Sequence, residues 1–236
     1  MSKFAILLLG ISLMTPDGFK EQQLLFDRVK TAYNEKETVV KDLLGKQGIG
    51  DRYEIFLRAF KRERTLEVWV KGKDTPEYKL LITYPFCTSS GELGPKRREG
   101  DLQIPEGVYK INHFNPYSNF YLSLGVNYPN ASDRILGDKE RPGGAIYIHG
   151  NCVSIGCIPI TDEKIKELYI LAVESRNAGQ AEIPVHIFPG KEIKELIVEF
   201  PEHGAFWRNL QIVYEDFEQT KKLRTAFVRA SGEYHF

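Results

Sequence analysis

A histidine and a cysteine lie close together in a segment of this sequence that is rich in small residues. His149 follows an apolar run over 145–148, and Cys157 comes eight positions later, directly after Gly156. A free thiol has a pKa of about 8.5, and a neighbouring imidazole can accept its proton as the sulfur attacks a carbonyl carbon. Gly156 would let the backbone approach that carbonyl, and the amides around Cys157 are natural oxyanion donors. The pair therefore indicates thiolate catalysis.

The same two residues also have an ordinary structural interpretation. Cys157 is equally typical of a small buried apolar residue, and His149 of a hydrogen-bonded histidine at the end of a strand. Spacing alone leaves both interpretations open. The remaining histidines show no ligand-like spacing to one another or to a cysteine, so neither a metal nor a cofactor is expected. They are His113, His186, His203 and His235.

Length and composition set the broad class. The chain has 236 residues with 42% hydrophobic and 27% charged side chains, which excludes a disordered polar chain and fits one large domain, or one domain with terminal additions. Thirty-two basic and 32 acidic side chains give no net charge, so the chain lacks the basic surface of a nucleic-acid binder. Three cysteines are too few for a disulfide-built scaffold, and at least one of them has no partner within the chain.

The first residues are typical of an export signal. Lys3 precedes an uncharged apolar run over 4–14, which is shorter than the about 20 residues of a membrane-spanning helix. No A-x-A cleavage pattern follows, and the alternative is an apolar first helix packed into the core. We predict a signal peptide over 1–16 and a periplasmic or secreted protein with no stable transmembrane segment. An uncleaved N-terminus would instead fit a cytosolic thiol hydrolase.

Hydrophobic periodicity and turn residues predict a single β-rich α+β domain with helical ends. Thr161, followed by two acidic residues, is expected to cap a central helix. The short connections favour antiparallel strand pairing. Helices are predicted over 19–44, 162–177 and 204–222, and strands over 53–60, 65–70, 78–83, 108–111, 120–126, 145–148 and 183–188. The predicted divisions are 1–16, a helical segment over 17–50, a catalytic domain over 51–190 and a C-terminal helical extension over 191–236.

The segment IHGNCVSIGCIPITD resembles the active-site motif of the L,D-transpeptidase catalytic domain family (YkuD-type). That motif has a His-Gly followed by Ser/Thr-His-Gly-Cys, and the compact form here is similar to the YafK-like branch. The resemblance extends to SSGELGPKRREGDLQIPEGVYKI, NPYSNFYLSLGVNYPNASDR and HIFPG, and covers about residues 50–220. It implies an α+β catalytic domain with mixed sheets or a sandwich, working in the bacterial cell envelope.

The resemblance implies a role for each residue of the motif. Cys157 would be the nucleophile that attacks a peptide carbonyl of a peptidoglycan stem, and His149 its general base and later proton donor. The backbone carbonyl of Gly150 would orient the imidazole. The amide of Gly156, with that of Cys157, would form the oxyanion hole.

The resemblance further implies substrate contacts. Ser154 matches the Ser/Thr position of the motif and could also hydrogen-bond within the loop. Lys96 and Arg97, in a basic cluster, and Arg134, in a loop after a strand, could bind the carboxylates of anionic stem peptides. Nearby Asp101 is expected to cap a turn rather than act as a catalytic acid.

Two departures from the commoner motif leave the reaction open. Ile155 stands where the second histidine is usual, and Pro159 near where many members carry arginine. Transpeptidation on peptidoglycan stems is the first expectation. The alternatives are hydrolysis of stem-peptide or lipoprotein-to-peptidoglycan links, with wall-linked lipoprotein then a partner, and a non-catalytic peptidoglycan-binding module.

A second cysteine in the motif bears on redox state. Cys152 lies five positions before Cys157 and is expected to pack as a small buried residue. The alternative is a regulatory disulfide between the two, which would block the nucleophile.

Overall fold

The computed structural model describes residues 17–235, and an eight-stranded mixed sheet forms its centre. The strand order across this sheet is β3-β2-β1-β8-β4-β5-β6-β7. The α+β class predicted from the sequence is confirmed, whereas the predicted signal peptide over 1–16 lies outside the described residues. The strands are β1 Tyr53–Phe60, β2 Thr65–Gly72, β3 Lys79–Pro85, β4 Gly107–Asn115, β5 Ser123–Val126, β6 Tyr147–His149, β7 Ile158–Pro159 and β8 Ile183–Phe188.

Helices cover both faces of the sheet. α4 packs between α1 and α2 on one side and strands β1, β5 and β6 on the other, and α5 packs against α6. The α2–α4 side holds the larger apolar core, while α6 covers a second core around Trp207. The helices are α1 Asp17–Gln23, α2 Asp27–Lys46, α3 Ala131–Leu136, α4 Asp162–Asn177, α5 Ile193–Glu199 and α6 Gly204–Thr220, with a 3-10 turn Pro201–His203 and a ribbon of β9 Phe227–Val228 and β10 Tyr234–His235.

The expectation of antiparallel pairing is wrong at two places in the sheet. β1 runs parallel to β8, with Leu57 opposite Val185, and β6 runs parallel to β7, with His149 opposite Pro159. A parallel neighbour needs a long crossover, and the chain between β1 and β8 is long enough to supply one. The loop between β6 and β7 likewise carries the chain back along the sheet.

The helix predicted over 19–44 is two helices with a break at residues 24–26. Phe26 adopts an extended conformation with φ −91° and ψ 127°, and α2 begins anew at the next residue. Its ring makes an edge-on contact with Tyr117, with centroids 5.0 Å apart. Packing of this aromatic pair therefore competes with continuation of the helix.

The central helix α4 begins where the sequence predicts. Thr161 is its N-cap residue, but the Thr161 side chain makes no capping hydrogen bond. The next residue, Asp162, instead accepts a hydrogen bond from the backbone N–H of Asn151 at 2.7 Å. The N-terminus of α4 is thereby tied to the loop that follows β6.

Candidate active site

His149 and Cys157 lie on adjacent strands at one end of the sheet. His149 ends β6, and Cys157 immediately precedes β7. The parallel register pairs Ile148 with Ile158, and Cys157, the residue before this pair, lies beside Tyr147, whose backbone hydrogen-bonds the thiol. The thiol and the imidazole therefore lie at the ends of neighbouring strands.

The His149 ring is buried and fixed from two sides. It is 1% exposed and stacks on Phe120, with ring centroids 4.6 Å apart. Its Nδ1–H donates to the carbonyl oxygen of Gly150, which leaves Nε2 as the acceptor nitrogen. Burial lowers the pKa of His149 below its usual value, while the Gly150 carbonyl acts in the opposite direction. The imidazole is therefore neutral at pH 7.

The Cys157 thiol is half-buried and protonated at rest. Burial raises its pKa, and the backbone of Tyr147 and the ammonium of Lys96 oppose that rise. The thiol lies 3.7 Å from the carbonyl oxygen of Ala145, to which it donates. Thiol and imidazole thus form a neutral pair at pH 7.

Cys157 opens into a cavity of about 580 Å³. Two segments of the chain line the cavity, one within 96–102 and the other over 140–146, together with Ile155 of the loop between β6 and β7. The His149 ring is not part of this wall. A ligand in the cavity would therefore contact Cys157 but not His149.

Hydrogen bonds within the loop hold Ser154 in place. Its hydroxyl donates to the carbonyl oxygen of Cys157 at 2.9 Å and accepts from the N–H of Gly156 at 3.1 Å. Ser90 Oγ lies 3.1 Å from Ser154 Oγ. Ser154 thus braces the turn before the cysteine, and the Gly156 N–H is already engaged. Gly156 has φ +130°, and a Cβ there would lie 2.9 Å from the Gln103 carbonyl oxygen, so the turn requires glycine.

The expectations for Cys152 are wrong. Cys152 is exposed and forms a disulfide with Cys87, 65 positions away, with 5.4 Å between the Cα atoms. Cys157 is free. The backbone N–H of Cys87 donates to the carbonyl oxygen of Pro159 at 3.0 Å, which brings the chain after β3 alongside β7. The disulfide therefore crosslinks the loop between β6 and β7 to the chain that follows β3.

The three cations expected to bind substrate lie in different places. Lys96 lines the cavity, is 4% exposed, and its Nζ lies 2.5 Å from Asp101 Oδ1. Asp101 also accepts backbone N–H bonds from residues 97, 98 and 103, as a turn cap does. Arg97 lies over the ring of Phe206 at 4.7 Å, and Arg134 is exposed on α3. Neither of these two arginines lines the cavity.

Two features of the site were not predicted from the sequence. Arg141 lies on the cavity wall and forms an ion pair with Glu99, with Nε and Nη2 at 2.9 and 2.8 Å from Oε2. An arginine before the Pro-Gly-Gly turn that leads into β6 was the available signal. Asp162, treated only as a helix-start residue, reaches the loop after His149. Its contact joins residues 11 positions apart, which no local pattern reveals.

No three His, Cys, Asp or Glu side chains among residues 17–235 are placed to hold a metal ion together. None of the helices in that range is both long and apolar enough to span a bilayer.

Comparison with solved structures gives partial overlaps. The helical cell shape determining protein Pgp2 from Campylobacter jejuni superimposes with a TM-score of 0.46 and 18% identity, over 71% of this chain and 57% of that one. Bd1075 of Bdellovibrio bacteriovorus gives 0.41 and 21%, over 70% of this chain and 57% of that one. The chain thus spans little more than half the length of either structure.

Sequence comparison gives a closer match. Over 184 residues the chain is 36% identical to the Escherichia coli K12 protein named "Putative L,D-transpeptidase YafK", covering 76% of this chain and 72% of that protein. The Escherichia coli O157:H7 protein of the same name matches equally well. The sequence profile of the L,D-transpeptidase catalytic domain (YkuD) matches residues 55–187, which span β1 to β8 and include His149 and Cys157. The chain is therefore a member of the L,D-transpeptidase catalytic domain family.

Proposed function

We propose that the chain is a cell-envelope cysteine acyltransferase that acts on peptidoglycan stem peptides through an acyl-enzyme on Cys157. The observation that carries this proposal is the placement of the one free thiol. Cys157 opens into the cavity and lies next to β7, the parallel neighbour of the strand that ends at His149, while the other two cysteines are bonded to each other. Family membership supplies the substrate class.

The first step follows from the neutral pair. As Cys157 Sγ attacks the stem carbonyl carbon, its proton passes to Nε2 of His149, because Nδ1 already carries a hydrogen bonded to Gly150. The resulting imidazolium donates that proton to the departing amine, and a thioester on Cys157 remains. The Gly150 carbonyl stabilises the imidazolium and orients the ring.

The oxyanion contact falls to backbone amides of the loop, those of Gly156 and Cys157. The Gly156 N–H donates to Ser154 in the resting structure, so it would exchange the Ser154 hydroxyl for the oxyanion. Ser154 then positions the donor and does not have to touch substrate.

The second step decides between two reactions. An amine that attacks the thioester completes a transpeptidation, and water completes a hydrolysis. Transpeptidation is our first assignment. The alternative is an amide hydrolase that cuts stem-peptide links or the link between a lipoprotein and peptidoglycan. Ile155 is exposed and lines the cavity with Cys157, where the commoner motif has a histidine. Because this substitution alters the surface that the second substrate would contact, hydrolysis is tested alongside transpeptidation.

Charge on the cavity wall supports an anionic substrate. Lys96 and Arg141 both line the cavity, and each could bind a stem carboxylate. Both are paired in the resting structure, Lys96 with Asp101 and Arg141 with Glu99, so a carboxylate would compete with those partners. Substrate contacts by Arg97 and Arg134 stay predictions.

The disulfide supports placement outside the cytoplasm. Stable disulfides form in oxidising compartments such as the periplasm and the exterior of the cell. The Cys87–Cys152 bond is therefore consistent with the predicted export signal and with a cell-envelope substrate.

The test is intact-protein mass spectrometry after the protein is mixed with a tetrapeptide stem, with Cys157→Ala as the matched variant. We expect an adduct equal to the stem minus its terminal D-amino acid, absent from the variant. Crosslinked products indicate transpeptidation, and hydrolysed stem or released lipoprotein fragments indicate the amide hydrolase. No adduct and no cleavage, with wall binding retained, would overturn the proposal in favour of a non-catalytic binding module.

A further inference from the structure

His149 is oriented by a backbone carbonyl, and the peptide unit that contains this carbonyl is held from its other side. The carbonyl of Gly150 accepts from Nδ1 of His149. The N–H of Asn151 belongs to the same peptide unit and donates to Asp162 Oδ1 at 2.7 Å. In a planar trans peptide the C=O and the N–H point in opposite directions. The Asp162 carboxylate therefore fixes the plane of the Gly150–Asn151 peptide, and the carbonyl on the opposite side of this peptide faces the His149 imidazole.

Close packing restricts this peptide unit further. A Cβ on Gly150 would lie 2.5 Å from Asp162 Oδ1 and 2.9 Å from the carbonyl oxygen of Phe120, so glycine is required for the approach. Asn151 has φ +60°, which turns the chain sharply away after the contact. A larger residue at position 150 would therefore displace the peptide from this position.

The carboxylate itself is placed on a rigid element. Asp162 is the first residue of α4, a helix whose side chains are largely buried between α2 and the sheet. The helix N-terminus favours a negative charge there. An ionised acceptor on the N–H polarises the peptide and makes its carbonyl oxygen a stronger acceptor.

We propose that Asp162 is a positioning residue for the reaction: it fixes the Gly150–Asn151 peptide, and through that peptide it fixes the tautomer and direction of the His149 imidazole. This inference rests on the proposed function for its kinetic consequence. Asp162 does not touch substrate. It takes the place, through one peptide unit, of the Asn or Asp side chain that orients the histidine in other cysteine enzymes.

The kinetic test compares three variants of the full chain in the acylation assay. Asp162→Ala removes the acceptor, and we expect kcat for acylation to fall about 10- to 100-fold with KM within about twofold. Asp162→Asn keeps an acceptor oxygen and should recover most of that loss. Glu163→Ala is the matched control, because Glu163 is also in the first turn of α4 and forms ion pairs with Lys36 and Lys166 but has no contact with the peptide. It should keep wild-type kcat.

A spectroscopic test needs no substrate and so separates this inference from the proposed function. Nitrogen-15 NMR of the His149 ring should show the Nδ1–H tautomer in the wild type and in Glu163→Ala, and a tautomer mixture in Asp162→Ala. Should Asp162→Ala fail to fold, Asp162→Ser takes its place, since serine is favourable at a helix start but its side chain is shorter. The inference is overturned if the alanine or serine variant keeps the wild-type tautomer, or if Asp162→Asn is as slow as Asp162→Ala.

Discussion

Two regions of this protein each contain buried titratable side chains, and they differ in whether those side chains carry charges. The buried ion-pair centre, formed by Arg58, Lys61, Glu67 and Glu106, lies under α6 and its flanking segments. The reactive edge, residues 149–157, lies at the far strands of the sheet. Arg58 is 3% exposed and His149 is 1% exposed, so burial alone does not distinguish these two side chains.

In the buried ion-pair centre every charge meets an opposite charge. Arg58 lies opposite Glu67 across β1 and β2, with Nη2 2.7 Å from Oε2. Lys61 Nζ lies 2.9 Å from Glu106 Oε1, and the indole of Trp207 donates to the same carboxylate at 2.6 Å. Burial alone would raise the pKa of Glu67, but the charge of Arg58 and the hydrogen bonds around it hold that pKa below its usual value. The Glu67 carboxylate therefore stays ionised.

At the reactive edge the two titratable groups face mainly neutral backbone. Burial lowers the pKa of His149 and raises that of Cys157, so both groups rest in their neutral forms. The two regions therefore differ in their charges. Opposite charges are paired in the buried ion-pair centre, whereas in the resting structure neither the thiol nor the imidazole of the reactive edge carries a charge.

Removal of the His149 imidazole should affect the reactive edge more strongly than any other change. His149→Ala should lower the acylation rate about 1,000-fold, because the proton of Cys157 then has no acceptor. The urea concentration at the unfolding midpoint should change only slightly, so that the lost rate is not explained by unfolding. Stopped-flow mass spectrometry and urea unfolding measure the two quantities. An acylation rate within tenfold of wild type would show that another base acts on Cys157.

The next effect breaks the buried ion-pair centre. Glu67→Ala leaves Arg58 and Lys191 without a carboxylate they share, and we expect a loss of about 3 to 5 kcal/mol in the free energy of unfolding. Glu199→Ala is the control, since its ion pair with Arg62 is half exposed and should be worth about 1 kcal/mol or less. Urea denaturation measures both. Equal losses in the two variants would contradict the distinction drawn between buried and surface pairs.

The third change removes the Cys87–Cys152 disulfide, which crosslinks the reactive edge. Cys87→Ser in a Cys157→Ala background avoids new disulfides, and it should lower the free energy of unfolding by about 2 to 4 kcal/mol, because 65 positions separate the bonded cysteines. Amide exchange within 150–157 should rise together with this loss. Addition of a dithiol to the Cys157→Ala variant alone is the control and should have the same effect. Unchanged exchange in both cases would mean that hydrogen bonds alone fix the loop.

The smallest effect sharpens the electrostatic argument. Burial raises the pKa of Cys157, and the Lys96 ammonium partly opposes this rise. Lys96→Met should therefore raise the pKa of Cys157 and reduce the fraction of thiolate at a given pH. We expect iodoacetamide to alkylate the variant about two- to fivefold more slowly at pH 8. Arg134→Met, at an exposed position on α3, is the control and should react as the wild type does. Equal rates for all three proteins would remove Lys96 from the electrostatics of the thiol.

Elements with strong local patterns were predictable from the sequence. Strands β1 and β8 and helix α4 have the predicted limits at 53–60, 183–188 and 162–177, because β-branched runs and a charged helix start define them locally. Helix α3 was missed, since its six residues begin with a polar capping box of Asn130 and Asp133 rather than with apolar periodicity. Strand β7 was missed because two residues carry no period.

Long-range pairings could not be predicted by the same means. The parallel contact of β1 with β8 joins residues more than 120 positions apart, and the bond between Cys87 and Cys152 joins two cysteines with no shared local pattern. The motif around His149 and Cys157 was visible in the sequence, and its catalytic roles stay predictions. Asp162 escaped notice because its partner is a backbone N–H, which every residue but proline possesses.

Three cysteines in one chain allow three ways of forming one disulfide, and the observed pairing is the one that leaves Cys157 free. Either of the other two would consume the Cys157 thiol. The N–H of Cys87 that donates to Pro159 sets the chain after β3 beside β7 and so favours the pairing that leaves Cys157 free. Oxidation of the cysteines is thus also the step that determines whether the proposed nucleophile stays available, and a disulfide isomerase would raise the share of chains with a free Cys157.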